Sequence, residues 1–348
     1  MIACENKFSF IHLYNFRLFG FAEPDCSRGK NQINSILLAY SQICSYLCAS
    51  MKKVLAKPFV KWVGGKTQLL EEVQKSLPAD LHLRNELTYI EPFVGGGAVL
   101  FWILQKYPNI KRAIINDINE ELICTYRVIK NKVEDLICFL DTIQNQYISL
   151  NTEERKDYFL EKRKRFNSKE CSDIETAALF IFLNRTCFNG LYRVNSKGEF
   201  NVPHGKYTNP KICDKDNLKL VSNLLQKVEI LCGDFEKTKI YAGENSIFYL
   251  DPPYKPLSET SSFTSYTKNG FDDKEQLRLR DFCTRIAQQK AQFVASNSDP
   301  QETTGESFFE RIYRQFKVKK VFATRLVNAN SDGRGLVSEV MISNIINA

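Results

Sequence analysis

Short apolar runs, each closed by turn residues, recur through this chain. Residues 88–93, 112–115, 228–232, 247–250 and 293–296 are runs of this kind. They are too short for helices and apolar on both faces, so they predict strands of a buried parallel sheet. Residues 98–105 and 120–130 show helical periodicity between the first strands, and Gly95-Gly96-Gly97 marks a tight turn. A loop from Lys61 to Lys66 enters a helix from Thr67. The pattern is a β-α-β unit with a glycine turn, the start of a doubly wound α/β sheet. A last strand pair near 318–325 and 337–344 completes it. From 131 to 228 the character changes to charged helical segments, which predicts an inserted, mainly helical domain. Inside it, residues 191–194 and 199–202 flank a turn from Asn195 to Gly198, a β-hairpin pattern. Stretches 257–270 and 328–335 are rich in Gly, Ser and Thr and read as mobile loops.

The chain of 348 residues has room for one α/β domain, 51–130 joined to 229–348, and the insertion 131–228. Its hydrophobic content of 43% is that of a soluble protein, and no run approaches the ~20 apolar residues of a membrane span. A formal net charge of +8 fits a nucleic-acid partner without requiring one. Eleven cysteines lack paired zinc spacing and there are three histidines, so reduced thiols and no metal are expected. Residues 1–50 carry four of the cysteines and no motif, whereas Met51-Lys52-Lys53 has the look of a natural bacterial start. The expectation is that 1–50 is an upstream extension or a misassigned start.

The tetrapeptide Asp251-Pro252-Pro253-Tyr254 follows the apolar run 247–250. In open α/β sheets the C-terminal ends of strands are where ligands bind. Two prolines fix the backbone and donate no N–H, leaving the carbonyls of Asp251 and Pro252 free to accept. A carboxylate, free carbonyls and a stacking ring suit a planar base with an exocyclic amine. Such an amine is a poor nucleophile because its lone pair is delocalised. Accepting both N–H groups, at Asp251 and at a carbonyl, favours pyramidal nitrogen with its lone pair aimed at an electrophilic methyl. Tyr254 positions the base. The bland alternative is a Pro-Pro turn with Asp251 as a helix cap.

A second cluster lies in the first half. Glu91 through Gly97, with Phe93, Gly95 and Gly97, stands between a strand and a helix, where glycines admit a ligand to the backbone. It lacks the third glycine of G-x-G-x-x-G, so dinucleotide binding is not supported. Asp117 ends the next strand and can accept from ribose hydroxyls, or cap the following helix. Gly64-Gly65-Lys66-Thr67 tempts a P-loop reading, but Val60 stands where that loop needs glycine. Lys66 can instead meet a cofactor's carboxylate, with Trp62 beside it. Asp234, before Phe235, is placed to accept from an adenine amine or to cap a helix.

Residues 59–66, Glu91 to Gly97, Asp117, Gly233-Asp234-Phe235 and Asp251 to Tyr254 occur in an order that resembles the Dam-type, α-arranged DNA adenine methyltransferases over roughly 57–348. The resemblance implies a Rossmann-like methyltransferase sheet with an inserted target-recognition domain. It implies S-adenosylmethionine as donor, N6 of a flipped adenine as acceptor and double-stranded DNA as partner. Trp62, Lys66, Glu91, Phe93, Gly95, Gly97, Asp117, Asp234 and Phe235 would line the donor site; Asp251, Pro252, Pro253 and Tyr254 would hold the base. In the hairpin, Arg193 is the candidate for bidentate contact with guanine, or else a phosphate contact. Leu191 and Pro203 can meet thymine methyls, Phe188 can wedge into the stack, and Asn189 and Asn195 share that segment. GATC is the site this likeness implies. A monomer in the cytoplasm, at the nucleoid, is expected, with or without a separate restriction endonuclease. Cytosine-N4 methylation, an RNA or protein-amide substrate and a non-catalytic DNA-binding relative are the alternatives.

Overall fold

The computed structural model describes residues 54–62, 64, 66, 69–255, 271–300, 307–324 and 336–345. The chain divides between Val54 and Leu55. The expected extension 1–50 and the expected loops 257–270 and 328–335 lie outside the described residues.

Seven strands make one sheet: β1 (Thr88–Glu91), β2 (Arg112–Ile115), β3 (Val228–Ile230), β4 (Ser246–Leu250), β5 (Gln292–Ser298), β6 (Lys317–Thr324) and β7 (Leu336–Ser343). Their order is β3-β2-β1-β4-β5-β7-β6. β1 to β5 pair in parallel, and β7 enters antiparallel between β5 and β6. From the β1–β4 boundary, β2 and β3 follow outward on one side and β5 on the other, with β7 and then β6 beyond it. That boundary is a topological switch point, where a crevice opens at the carboxyl ends of the strands. Ile90, Ile114, Phe248 and Leu250 are wholly buried, as strands covered on both faces require.

The helices on the sheet include α1 (Leu70–Ser76), α2 (Ala98–Lys106), α3 (Glu120–Asn131), α8 (Asp273–Gln288) and the short α9 (Phe308–Ile312). Between β2 and β3 stand α4 (Val133–Ser149), α5 (Thr152–Asn167), α6 (Asp173–Thr186) and α7 (Lys215–Leu225). α6 is buried without break from Ala177 to Asn184, so it forms the axis against which α3, α4 and α5 pack. Polar caps fix the helix starts: Asn119 on α3, Asn151 with Glu154 in a capping box on α5, and Ser172 on α6.

The predicted hairpin keeps its turn but not its ladder. Val194 and Phe200 form an isolated antiparallel bridge, and Asn195 N–H bonds to the Glu199 carbonyl at 2.9 Å. Helix side chains supply the missing partners. Asn167 accepts from Phe200 N–H at 2.9 Å and donates to its carbonyl at 3.0 Å. Arg163 reaches the Val202 carbonyl at 3.3 Å. The segment before α1 is held the same way: Gln105 pairs with both backbone groups of Ala56, Asn217 with those of Lys57 and Asn184 with those of Lys61. Three amides thus take the place of a neighbouring strand.

Candidate active site

β4 is buried throughout and delivers Asp251 to the switch point. The Ser296 hydroxyl donates to Asp251 Oδ1 at 2.9 Å, and Tyr249 Oη lies 3.1 Å from Ser296 Oγ. Lys66 Nζ is 3.1 Å from the same Oδ1 and 4.0 Å above the Tyr254 ring. The phenol of Tyr254 donates to Glu339 Oε2 at 2.6 Å, and that oxygen lies 3.9 Å from Lys66. Lys66 is only 5% exposed, so its charge is compensated by protein rather than by water. Burial raises the Asp251 carboxyl above its usual range; Lys66 and Ser296 pull it back in part, and Glu339 pushes it up. Burial, with Asp251 and Glu339 nearby, also holds the Tyr254 phenol well above its ordinary value.

Buried amides fix the backbone after the carboxylate. Gln276 Nε2 donates to the Pro253 carbonyl at 3.2 Å. Its Oε1 accepts from Asn297 at 3.1 Å, and Asn297 Oδ1 accepts from Lys255 N–H at 3.1 Å. Gln276 is fully buried and Asn297 nearly so. With the Pro253 carbonyl engaged, the carboxylate of Asp251 and the carbonyls before Pro253 are what the turn presents.

The glycine turn stands beside it, at the end of β1. Gly95 and Gly97 have φ of 47° and 76°, the left-handed region that favours glycine. A Cβ on Gly95 would stand 2.7 Å from Trp62 Nε1, and one on Gly97 2.5 Å from Tyr126 Oη. Asp117 accepts from Gly95 N–H and Asn119 N–H, each at 3.0 Å, and burial raises its carboxyl against those bonds. Glu91 is 2% exposed, takes the Tyr89 phenol at 2.8 Å and is pushed well up, first by burial and also by the Asp251 and Asp117 charges. Asn116 ties the turn to the loop after β3, donating to the carbonyls of Pro92 and Gly233. Its Oδ1 is buried with no hydrogen-bond partner among the described residues.

The remaining expected donor-site residues occupy these places. Phe93 packs on Phe235 at 5.3 Å. Asp234 caps the 3-10 helix Phe235–Tyr241 through Glu236 N–H and is ion-paired with Arg278, whose guanidinium covers Phe235 at 4.3 Å. Trp62 stacks on Tyr192 at 5.7 Å and borders Gly95 and Gly96.

In the insertion, Phe188 is 52% exposed, and Asn189 has a φ of 55°. Leu191 is half-buried against the core. The exposed Arg193 donates through Nε to Asn201 Oδ1 at 2.8 Å. Asn195 spends its side chain on the turn, accepting from Lys197 and Glu199 N–H. Pro203 is exposed, and its carbonyl takes Phe188 N–H at 2.9 Å. A cleft of about 410 Å³ on the insertion, lined in part by Cys138, Phe139 and Leu179, shares no residue with the Asp251 site.

Sequence reasoning missed Ser296, Glu339, Gln276, Asn297 and Arg278. The polar run Ser296 to Asp299 ending an apolar strand was a usable signal for the first and fourth. Glu339 has none, because a single acid in an alternating strand reads as solvent-facing.

Among the described residues no cluster of His, Cys, Asp and Glu can hold a metal ion, and no helix is long and apolar enough to cross a membrane. The seven cysteines among them are free.

Residues 62–327 match the model of the D12 class N6 adenine-specific DNA methyltransferases. The chain is 51% identical over 280 residues to the type II methyltransferase M.MjaIII of Methanocaldococcus jannaschii, which spans 80% of this chain and 95% of that protein. It is 34% identical over 292 residues to the DNA adenine methylase of Vibrio cholerae, spanning 84% and 96% of the two. Likeness to solved structures is remote: the rRNA methyltransferase aviRa of Streptomyces viridochromogenes aligns over 80% of this chain and 84% of that one, with a TM-score of 0.31 and 10% identity. A carboxylate-Pro-Pro-Tyr turn and a glycine turn meeting at one switch point, in a chain matched over most of its length, have one family reading: the chain belongs to the D12 class of N6 adenine-specific DNA methyltransferases.

Proposed function

We propose that this protein transfers a methyl group from S-adenosylmethionine to N6 of an adenine flipped out of duplex DNA, within the site GATC. The observation that carries the reading is the meeting of Asp251 and Tyr254 with the Gly95–Asp117 turn at the β1–β4 switch point. The residues present fit the donor. Beside the glycine turn, Asn116 Oδ1 is buried with no hydrogen-bond partner among the described residues, an acceptor that a bound donor could engage. Asp117 and Glu91 would hold the donor's hydroxyl and ammonium groups, with Phe93, Asp234 and Phe235 at its base. When bound, S-adenosylmethionine supplies an electrophilic methyl on a sulfonium.

The chain's own residues prepare the acceptor. Asp251 accepts one amine N–H and the Pro252 carbonyl the other, which aims the nitrogen lone pair away from the ring. Tyr254 stacks on the base and holds it in line. The amine's surplus proton can pass to Asp251, whose burial makes it a stronger base than an exposed aspartate. Extruding the base costs a few kcal/mol, offset by contacts from residues 131–228, the target-reading domain of this proposal. There Arg193 reads guanine, and Phe188, Asn189, Leu191, Asn195 and Pro203 line the DNA face.

The test is modification-sensitive sequencing of DNA from a methylation-deficient bacterium expressing the full chain, with Asp251→Ala as control. N6-methyladenine at GATC, absent in the control, is the expected outcome. N6-methyladenine elsewhere would overturn the site assignment, and modified cytosine would overturn the assigned base.

A further inference from the structure

One ammonium faces two carboxylates in the pocket. Lys66 Nζ is 3.1 Å from Asp251 Oδ1 and 3.9 Å from Glu339 Oε2. The Asp251 and Glu339 side chains are 21% and 14% exposed. The proposed reaction, on which this inference rests, needs the amine of the base at Asp251 and its ring against Tyr254. Lys66 already holds both places: its charge is on Asp251 and 4.0 Å above the Tyr254 ring. A docking base must therefore displace it. A buried ammonium cannot be left uncompensated, because desolvation without a partner is strongly unfavourable. Glu339 is the acceptor within reach. It sits on β7 in register with Ser298 of β5 and Val321 of β6, so the sheet fixes it in place.

We propose that Glu339 is a positioning residue of the transfer site: the second carboxylate, to which the Lys66 ammonium moves when a base claims Asp251. Two functions then share one side chain. Glu339 receives the displaced lysine, and it keeps the Tyr254 ring oriented through the phenol at 2.6 Å. The shift of Lys66 also unmasks Asp251 as the amine arrives. No bond is made or broken in this step; one charge changes partner over a short distance.

Glu339→Gln separates the functions. The amide oxygen still accepts from the phenol, but its neutral head does not compensate the charge of a displaced ammonium. Single-turnover methyl transfer to a GATC duplex, and binding of S-adenosylmethionine by calorimetry, are measured for the parent, Glu339→Gln, Glu339→Asp, Lys66→Met and Glu339→Gln/Lys66→Met. Glu339→Gln is expected to slow transfer by about tenfold or more with donor affinity changed less than about twofold, and Glu339→Asp to recover part of the rate. With Lys66→Met, which leaves no ammonium to move, Glu339→Gln is expected to add little. An unchanged rate in Glu339→Gln, or the same loss with and without Lys66, would overturn the assignment and leave Glu339 as an anchor for Tyr254 alone. A parent that binds donor yet transfers nothing to adenine would instead remove the reaction itself, and the role of Glu339 with it.

Discussion

At the residue scale, the proposed transfer puts the pH behaviour of the site on one carboxyl. In that proposal Asp251 must be ionised to accept from the amine, and burial raises it above its ordinary range. Activity is therefore present above the raised value and lost as pH falls through it. The profile of kcat/KM reports the free enzyme, in which Lys66 still sits on Asp251. Its acid limb is expected above the usual aspartate range. Lys66→Met removes the nearest group that lowers Asp251, so its limb is expected at higher pH than the parent's. Steady-state profiles on one GATC duplex check both. A limb that stayed put or moved down in Lys66→Met would show that another group governs it.

At the element scale, the turn into α2 depends on glycine more than its sequence neighbours do. Gly97 is the N-cap of α2 in left-handed conformation, and an added Cβ would meet Tyr126 Oη at 2.5 Å and Phe101 Cε2 at 2.9 Å. Tyr126 is itself buried and bonded to the Gly95 carbonyl, so it has nowhere to go. Gly97→Ala is expected to cost at least about 2 kcal/mol, from the left-handed penalty and the overpacking together. Urea unfolding measures it; a loss under about 0.5 kcal/mol would contradict the packing described. This element was legible in the sequence because three glycines between an apolar run and a helical period leave few other readings. β2 was read to the residue, and β1 and β4 to within two, because continuous apolar runs mark strands buried on both faces. The target segment was legible only as a turn with extended flanks. Its ladder is absent because Asn167 and Arg163 satisfy the backbone across the insertion, and no local pattern announces a partner over thirty residues away. Glu339 escaped for a related reason. It enters the site through an antiparallel strand far from Asp251 in sequence, and alternation assigns its face but not its neighbour.

At the scale of the whole molecule, the proposed target segment and the proposed donor half meet in an aromatic contact. Tyr192 precedes Arg193, stacks on Trp62 at 5.7 Å, and places its hydroxyl 3.4 Å from Glu121 of α3. Trp62 in turn borders Gly95 and Gly96 of the turn proposed to hold the donor. Burial raises the Tyr192 phenol well above its ordinary value, so it stays protonated and acts as a donor and a stacking face. A contact shared by two sites gives each a stake in the other's geometry, and any coupling must be equal in both directions. Donor binding is expected to tighten binding of a GATC duplex, and the duplex to tighten donor binding by the same factor. Tyr192→Leu removes the stack and the hydroxyl while keeping an apolar side chain against Phe180 and Phe200. It is expected to bring that factor toward one while moving each separate affinity less. Fluorescence anisotropy of labelled duplex with and without donor, and calorimetry of donor with and without duplex, close the cycle. An undiminished factor in Tyr192→Leu would place the coupling elsewhere, for instance in the pinning of Lys61 and Gly190 by Asn184.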